Sequence, residues 1–395
     1  MLPPRTRSKL YERQTMRISS ISKVAILASA AVVALVPSAV AYDLTSAGAT
    51  SVSTYLEKCK VDYQNDTKDT LSHAGGGSGA GKTAINAGTK DMGFSDSENT
   101  TPAAGVFHIP TAVWPIGIAY NLNNSASKQL QLSGPTIAKI FAGTITRWND
   151  PAIVADTQKV RKIAVYKMAM GKTVLDSKGS PVVDHYRTLT VPFTMPDKPI
   201  TVIYRAGSSG TTNNFVAALR AFAPTVWTKP QSDNFATANP TDVTVNPAQF
   251  QVATGSDGVA ALAGRTKYSI AYAETGFITA NPALKAAAVI NNAGNSTSPD
   301  VPGAQAQFAQ STLLASGIVN WNYTGTAAAA YPFTATTYAM VKTNYGKADL
   351  AAAVKRQVEY MAFGCSAKVT TEGMIPITKT SPLGVEILKL TAKIA

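Results

Sequence analysis

Three short turns built from Gly, Ser and Thr constrain this chain more than any other feature. They are Ala47-Gly48-Ala49-Thr50-Ser51, Gly75-Gly76-Gly77-Ser78-Gly79 and Gly207-Ser208-Ser209-Gly210-Thr211. Each runs into a stretch that reads as a helix. The first backbone N–H groups of a helix have no intrahelical acceptor, and they carry partial positive charge. Small hydroxyl residues beside them let an anion come close. Three such corners on one chain can surround one small oxyanion.

The stretches between the corners alternate strand, turn and helix, which places the chain in the α/β class. Residues 113–120 are strongly apolar, with Pro115 and Gly117 inside, and read as a strand crossing between two lobes. Residues 334–341 are a second crossing candidate. Strands are expected at 163–165, 201–204 and 269–273. Short helices are expected at 135–141 and 152–155, around a Trp148-Asn149-Asp150-Pro151 turn. A longer helix carries Phe215, Leu219 and Phe222, and an Ala-rich one opens at Asp257-Gly258. Residues 166–200 read as an inserted loop or hairpin, and 291–304 as a Pro/Asn/Ser/Gly loop.

The first 41 residues read as an export signal. Residues 24–36 are an apolar run too short to span a bilayer, preceded by Arg17 and Lys23 and followed by Ala39-Val40-Ala41, a small-x-small cleavage pattern. The expected mature start is Tyr42, and Met16 is an alternative initiator. No Cys stands at the cleavage point, so no lipid anchor is expected there. The chain beyond residue 41 keeps 30 Lys/Arg against 22 Asp/Glu, a net charge of +8. With no basic run and no zinc or helix-turn-helix pattern, that field suits a small anion better than nucleic acid. An exported chain with two cysteines permits one bridge. Cys59 lies on the helical stripe Val52, Tyr55, Leu56, Cys59, Tyr63, and Cys365 follows Gly364 at a helix end. Two separate buried thiols are the alternative at this point.

Residues 76–83, Gly-Gly-Ser-Gly-Ala-Gly-Lys-Thr, match the nucleotide-binding P-loop pattern. The preceding residues 66–73 are polar and do not read as the buried strand that such a loop needs. Export also removes the chain from ATP. A glycine turn at a helix start remains an anion cradle either way. Asp96 ends the segment Asp91-Met92-Gly93-Phe94-Ser95-Asp96. A buried carboxylate there would accept a hydrogen bond only from a protonated oxyanion, admitting phosphate and repelling sulfate. Arg205 leads into the third turn, where its planar fork suits a tetrahedral oxyanion. His73, His108 and His185 are scattered without metal-ligand spacing, and no Gly-x-Ser-x-Gly elbow is present. The chain is therefore expected to bind rather than to catalyse, without metal or cofactor.

These residues resemble the periplasmic phosphate-binding proteins of high-affinity phosphate ABC transporters. The family's Ala-Gly-Ala-Thr opening is similar to residues 47–50, its Gly-x-Gly-Ser turn to 75–78, its Asp-Phe-Gly-x-Ser-Asp to 91–96, and its Arg-x-Asp-Gly-Ser-Gly-Thr to 205–211. Trp148-Asn149-Asp150-Pro151, Ser256-Asp257-Gly258-Val259-Ala260-Ala261 and Tyr331-Pro332-Phe333-Thr334 add to the ordered set. The resemblance implies the two-lobed periplasmic binding protein fold, type II-like, with two hinge strands. One lobe would hold 42–119 and 340–395, the other 120–339. It implies a phosphate site made by Thr50, Ser51, Ser78, Asp96, Arg205, Ser209, Gly210 and Thr211. It also implies an inner-membrane phosphate ABC permease as partner, a monomeric periplasmic protein, and a Cys59–Cys365 bridge. Two departures stand out. Ser51 replaces the family's usual bulky residue, and Gly207 replaces its second acid, leaving Asp96 as the only matched carboxylate. Alternatives are a binding protein for sulfate or arsenate, a secreted phosphatase of the DING-like type, and a structural surface protein.

Overall fold

Strand β1 (Asp43–Gly48) and its neighbours set the plan of the molecule. A computed structural model describes residues 41–122, 129–189 and 194–395. Apart from Ala41, the export signal lies outside the described residues. Next come helix α1 (Ser51–Thr67), strand β2 (Thr70–Gly76), helix α2 (Ser78–Asn86), strand β3 (Met92–Ser95) and the 15-residue strand β4 (Val106–Tyr120). Further along lie β5 (Thr201–Arg205), α3 (Gly210–Phe222), β6 (Phe250–Ala253), α4 (Gly255–Arg265), β7 (Ser269–Glu274), β8 (Thr334–Lys342) and α5 (Ala348–Glu359).

The main sheet runs in the order β6-β5-β7-β4-β8-β3-β1-β2. At one end β1 pairs parallel with both β2 and β3; at the other, β5 pairs parallel with both β6 and β7. The two parallel sets are joined through antiparallel β4 and β8: β8 pairs along its whole length with Val106–Pro115 of β4, and the rest of β4 pairs with β7. In open α/β sheets ligands gather outside the carboxyl ends of parallel strands. Here all three glycine corners follow such ends: β1 into α1, β2 into α2, β5 into α3.

Local chemistry explains the elements. Helix α1 buries Val52, Tyr55, Leu56, Cys59 and Tyr63 on one face and closes with Lys68 in the left-handed region at φ 67°. Helix α3 is capped by Ser209, whose hydroxyl accepts from Thr212 N at 3.3 Å. Strands β4 and β8 are buried on both faces and read as continuous apolar runs rather than alternating ones. Their ladder breaks at Thr337/Tyr338, a bulge that turns Thr337 toward the crevice. The Cys59 and Cys365 sulfurs form a disulfide between α1 and the π-helical turn Tyr360–Cys365, 306 residues away.

The polar stretch before the second corner is not a buried strand, as expected, but it does form a strand, β2. It sits at the sheet edge with much of its surface exposed, which is why its composition hides it. The expected loop at 291–304 contains the start of a helix, Val301–Ala309, because Asp300 caps it by accepting from Gly303 N at 2.8 Å. Among the described residues of 166–200, Val183–Leu189 pairs with Arg161–Tyr166, and a smaller hairpin turns at Met170-Gly171. Among the described residues no helix is long and apolar enough to cross a membrane.

Candidate anion site

The carboxyl ends of six strands deliver the polar side chains of the crevice. β1 leads to Thr50 and Ser51, β2 to Ser78, β3 to Asp96, β5 to Arg205 and then 209–211, β6 to Ser256, and β7 ends on Glu274. Hydrogen bonds link these groups across the crevice. Ser78 Oγ accepts from Asp96 N at 3.1 Å and from Gly210 N at 3.0 Å, tying the second corner to the third. Gly79 N donates to Ser208 O at 3.4 Å. Arg205 Nη1 donates to Ser256 Oγ at 2.9 Å, and Ser256 Oγ lies 3.4 Å from Thr50 Oγ1. The eight residues expected from sequence thus fall in one cluster. Ser209 differs from its neighbours in that its hydroxyl accepts within its own helix cap.

Close approach makes glycine obligatory at Gly210. A Cβ there would lie 2.6 Å from Ser97 N and 2.7 Å from Ser78 Oγ. By position, the N–H groups of Ser51, Ser78 and Thr211 lie in the first turns of α1, α2 and α3, without acceptors in their own helices. They supply donor groups for an anion.

Asp96 is the electrostatic centre. Its Oδ1 accepts from Ser51 and from Thr337, both at 2.7 Å, and Trp114 Nε1 holds Thr337 Oγ1 at 2.8 Å. Among the described residues, Oδ2 has only the long contact to Thr211 Oγ1, at 3.4 Å. Burial, followed by the nearby Glu274 carboxylate, pushes the Asp96 carboxyl up to about 7, against the pull of Ser51, Thr337 and Arg205. Arg205 is buried, and its Nε has no hydrogen-bond partner among the described residues.

Sequence reasoning missed Glu274, Thr337 and the hold across the crevice on Asp233. Asp233 accepts from Lys82 Nζ (2.9 Å), Ser97 Oγ (2.9 Å), Ser208 Oγ (3.0 Å) and Asn213 Nδ2 (3.0 Å). Glu274 follows directly on the expected strand 269–273; the rule that strand ends face the crevice was the available signal. The histidines stand apart from the cluster's chemistry. His73 contacts Ser46 and Ala49 O, His108 accepts from Asn99 N, and His185 is exposed beside Asp184.

The PBP superfamily domain is matched over residues 33–362. Phosphate-binding protein PstS 3 of Mycobacterium tuberculosis is 29% identical over 322 residues, covering 78% of this chain and 75% of the relative. Phosphate-binding protein PstS 2 of the same organism is 27% identical over 361 residues, covering 86% and 84%. The solved phosphate-binding protein from Stenotrophomonas maltophilia superposes with a TM-score of 0.58 at 19% identity, over 89% of this chain and 93% of that one.

Proposed function

The chain belongs to the PBP superfamily, and from that premise we propose that it captures inorganic phosphate in the crevice and delivers it to an inner-membrane phosphate ABC permease. The observation that carries this reading is the meeting of the three corners, with Ser78 Oγ held by both Asp96 N and Gly210 N. First-turn N–H groups and the hydroxyls of Thr50 and Ser78 hold the oxygens, while Ser51 and Thr211 donate their single hydroxyl protons to the acids beside them. Arg205 supplies charge. Asp96 Oδ2, with a single weak donor among the described residues, accepts a proton-bearing oxygen, which phosphate has near neutral pH and sulfate lacks. No bond is made or broken. Ser78 Oγ faces backbone donors and no histidine among the described residues, so a nucleophile–base pair is not assembled there.

Residues 42–119 and 340–395 form one lobe in this reading and 120–339 the other, with β4 and β8 as the connection about which they close. In this reading the chain works outside the cytoplasm, as a monomer. Titration calorimetry with phosphate, sulfate and a phosphomonoester tests the proposal. The expected result is tight phosphate binding, weak sulfate competition, and a preference that shrinks in Asp96→Asn. Equal binding of sulfate would remove the proton check, and turnover of the ester, lost in Ser78→Ala, would favour a phosphatase.

A further inference from the structure

Glu274 is a second buried acid at the crevice, only 6% exposed, at the carboxyl end of β7. Its Oε1 accepts from Thr211 Oγ1 at 2.8 Å, while its Oε2 is buried without a hydrogen-bond partner among the described residues. The same Thr211 hydroxyl lies 3.4 Å from Asp96 Oδ2. One hydroxyl proton therefore stands between two carboxylates and can serve only one of them at a time. Each carboxylate keeps an oxygen in need of a donor, and a buried acceptor left so is costly.

The charges around the pair do not balance it. Arg205 is the cation at its side, and among the described residues no ion pair within 4.0 Å engages Arg205, Asp96 or Glu274. Lys82, nearby on α2, is committed to Asp233 and Ser97. Tyr55, Tyr272 and Tyr338 also face the two acids from α1, β7 and β8. Burial pushes each phenol well above its ordinary value, so all three stay neutral. Well above neutrality, one cation against two carboxylates leaves the cluster negative before any anion enters. A dianion would add two more charges, whereas an anion carrying two protons adds one charge and two donors.

Building on the phosphate reading above, we propose that Glu274 is the second acid of the site and that Asp96 and Glu274 together retain two protons in the bound complex. The bound species is dihydrogen phosphate, one P–O–H donating to Asp96 and the other to Glu274. Where phosphate is free mostly as the singly protonated dianion, binding draws one proton from solvent: dianion plus proton gives the bound monoanion. This assignment replaces the acid missing at Gly207 with one from a different strand.

The test is calorimetry of phosphate binding by the full chain well above neutrality, in buffers of different ionisation enthalpy. Wild type should take up about one proton per phosphate, with the dissociation constant rising about tenfold per pH unit. Glu274→Gln should bind phosphate with no proton uptake and a flat pH profile, and Glu274→Asp should restore the uptake. Phosphate binding by wild type without proton uptake overturns the assignment even if the variants fail to fold. So does unchanged uptake in a folded Glu274→Gln. A wild type that binds no phosphate at all removes the transport reading, and this assignment with it.

Discussion

Lys82 Nζ lies 2.9 Å from Asp233 Oδ2, joining helix α2 to the segment before Asn234, with the side chains 19% and 17% exposed. In the two-lobed reading the pair spans the crevice, so it exists only while the two sides are together. Lys82→Met should therefore weaken phosphate binding about tenfold, ~1.4 kcal/mol, mainly through faster release. Stopped-flow release of phosphate, compared with equilibrium affinity, measures this. An unchanged release rate would mean that the pair contributes nothing to holding the crevice shut.

Asp96 is held above its ordinary carboxyl range, from 3.8 to about 7. The folded form binds that proton more tightly than the unfolded chain, so the group makes folding progressively less favourable as pH rises from about 4 to about 7. Asp96→Asn should thus stabilise the phosphate-free protein above neutrality by on the order of 2–4 kcal/mol, and the advantage should vanish below about pH 4. Urea unfolding across this range gives the difference directly. The same variant should bind phosphate less selectively, trading stability against recognition.

Gly210→Ala separates closure from folding. The added methyl meets Ser78 Oγ and the 96–97 backbone across the crevice, while alanine is a better helix former than glycine. Phosphate affinity should fall about 100-fold or more. The midpoint of thermal unfolding without phosphate should stay within about 5 °C of wild type. Loss of both together would mean that the contact is structural.

The Cys59–Cys365 bridge closes a loop of 306 residues. Replacing both cysteines by serine should cost about 2–4 kcal/mol of stability, read from denaturant midpoints under non-reducing conditions. Phosphate affinity should hold, since Cys59 and Cys365 face the α1 packing and not the crevice. A large fall in affinity would show that the bridge also positions the start of α1.

The corners were legible because their signal is local: glycine where the chain must turn, hydroxyls where a helix begins. Asp96 and Arg205 were legible as strand-end residues beside those turns. Thr337 was not, because β8 is buried on both faces and carries no alternation to say which side chain faces the crevice. Its aim is set by the bulge at Thr337/Tyr338, a pairing irregularity with no sequence mark. Glu274 was hidden differently. It lies one residue past a recognisable strand, and the order β7-β4-β8-β3, which relates that end to Asp96, has no mark in the sequence. Asp233 sits in a polar loop whose partners come from residues 82, 97, 208 and 213, separations that no local pattern reports.

In the phosphate reading the first turns of α1, α2 and α3 face the crevice with main-chain amides, so much of the recognition chemistry is written in atoms that every amino acid but proline shares. Codon changes other than those to proline cannot erase those donors, so side-chain scanning will understate their contribution. Replacing single amides at Ser51, Ser78 or Thr211 with esters would expose it. A lineage can drift far in sequence around such corners and still keep its grip on the same ion.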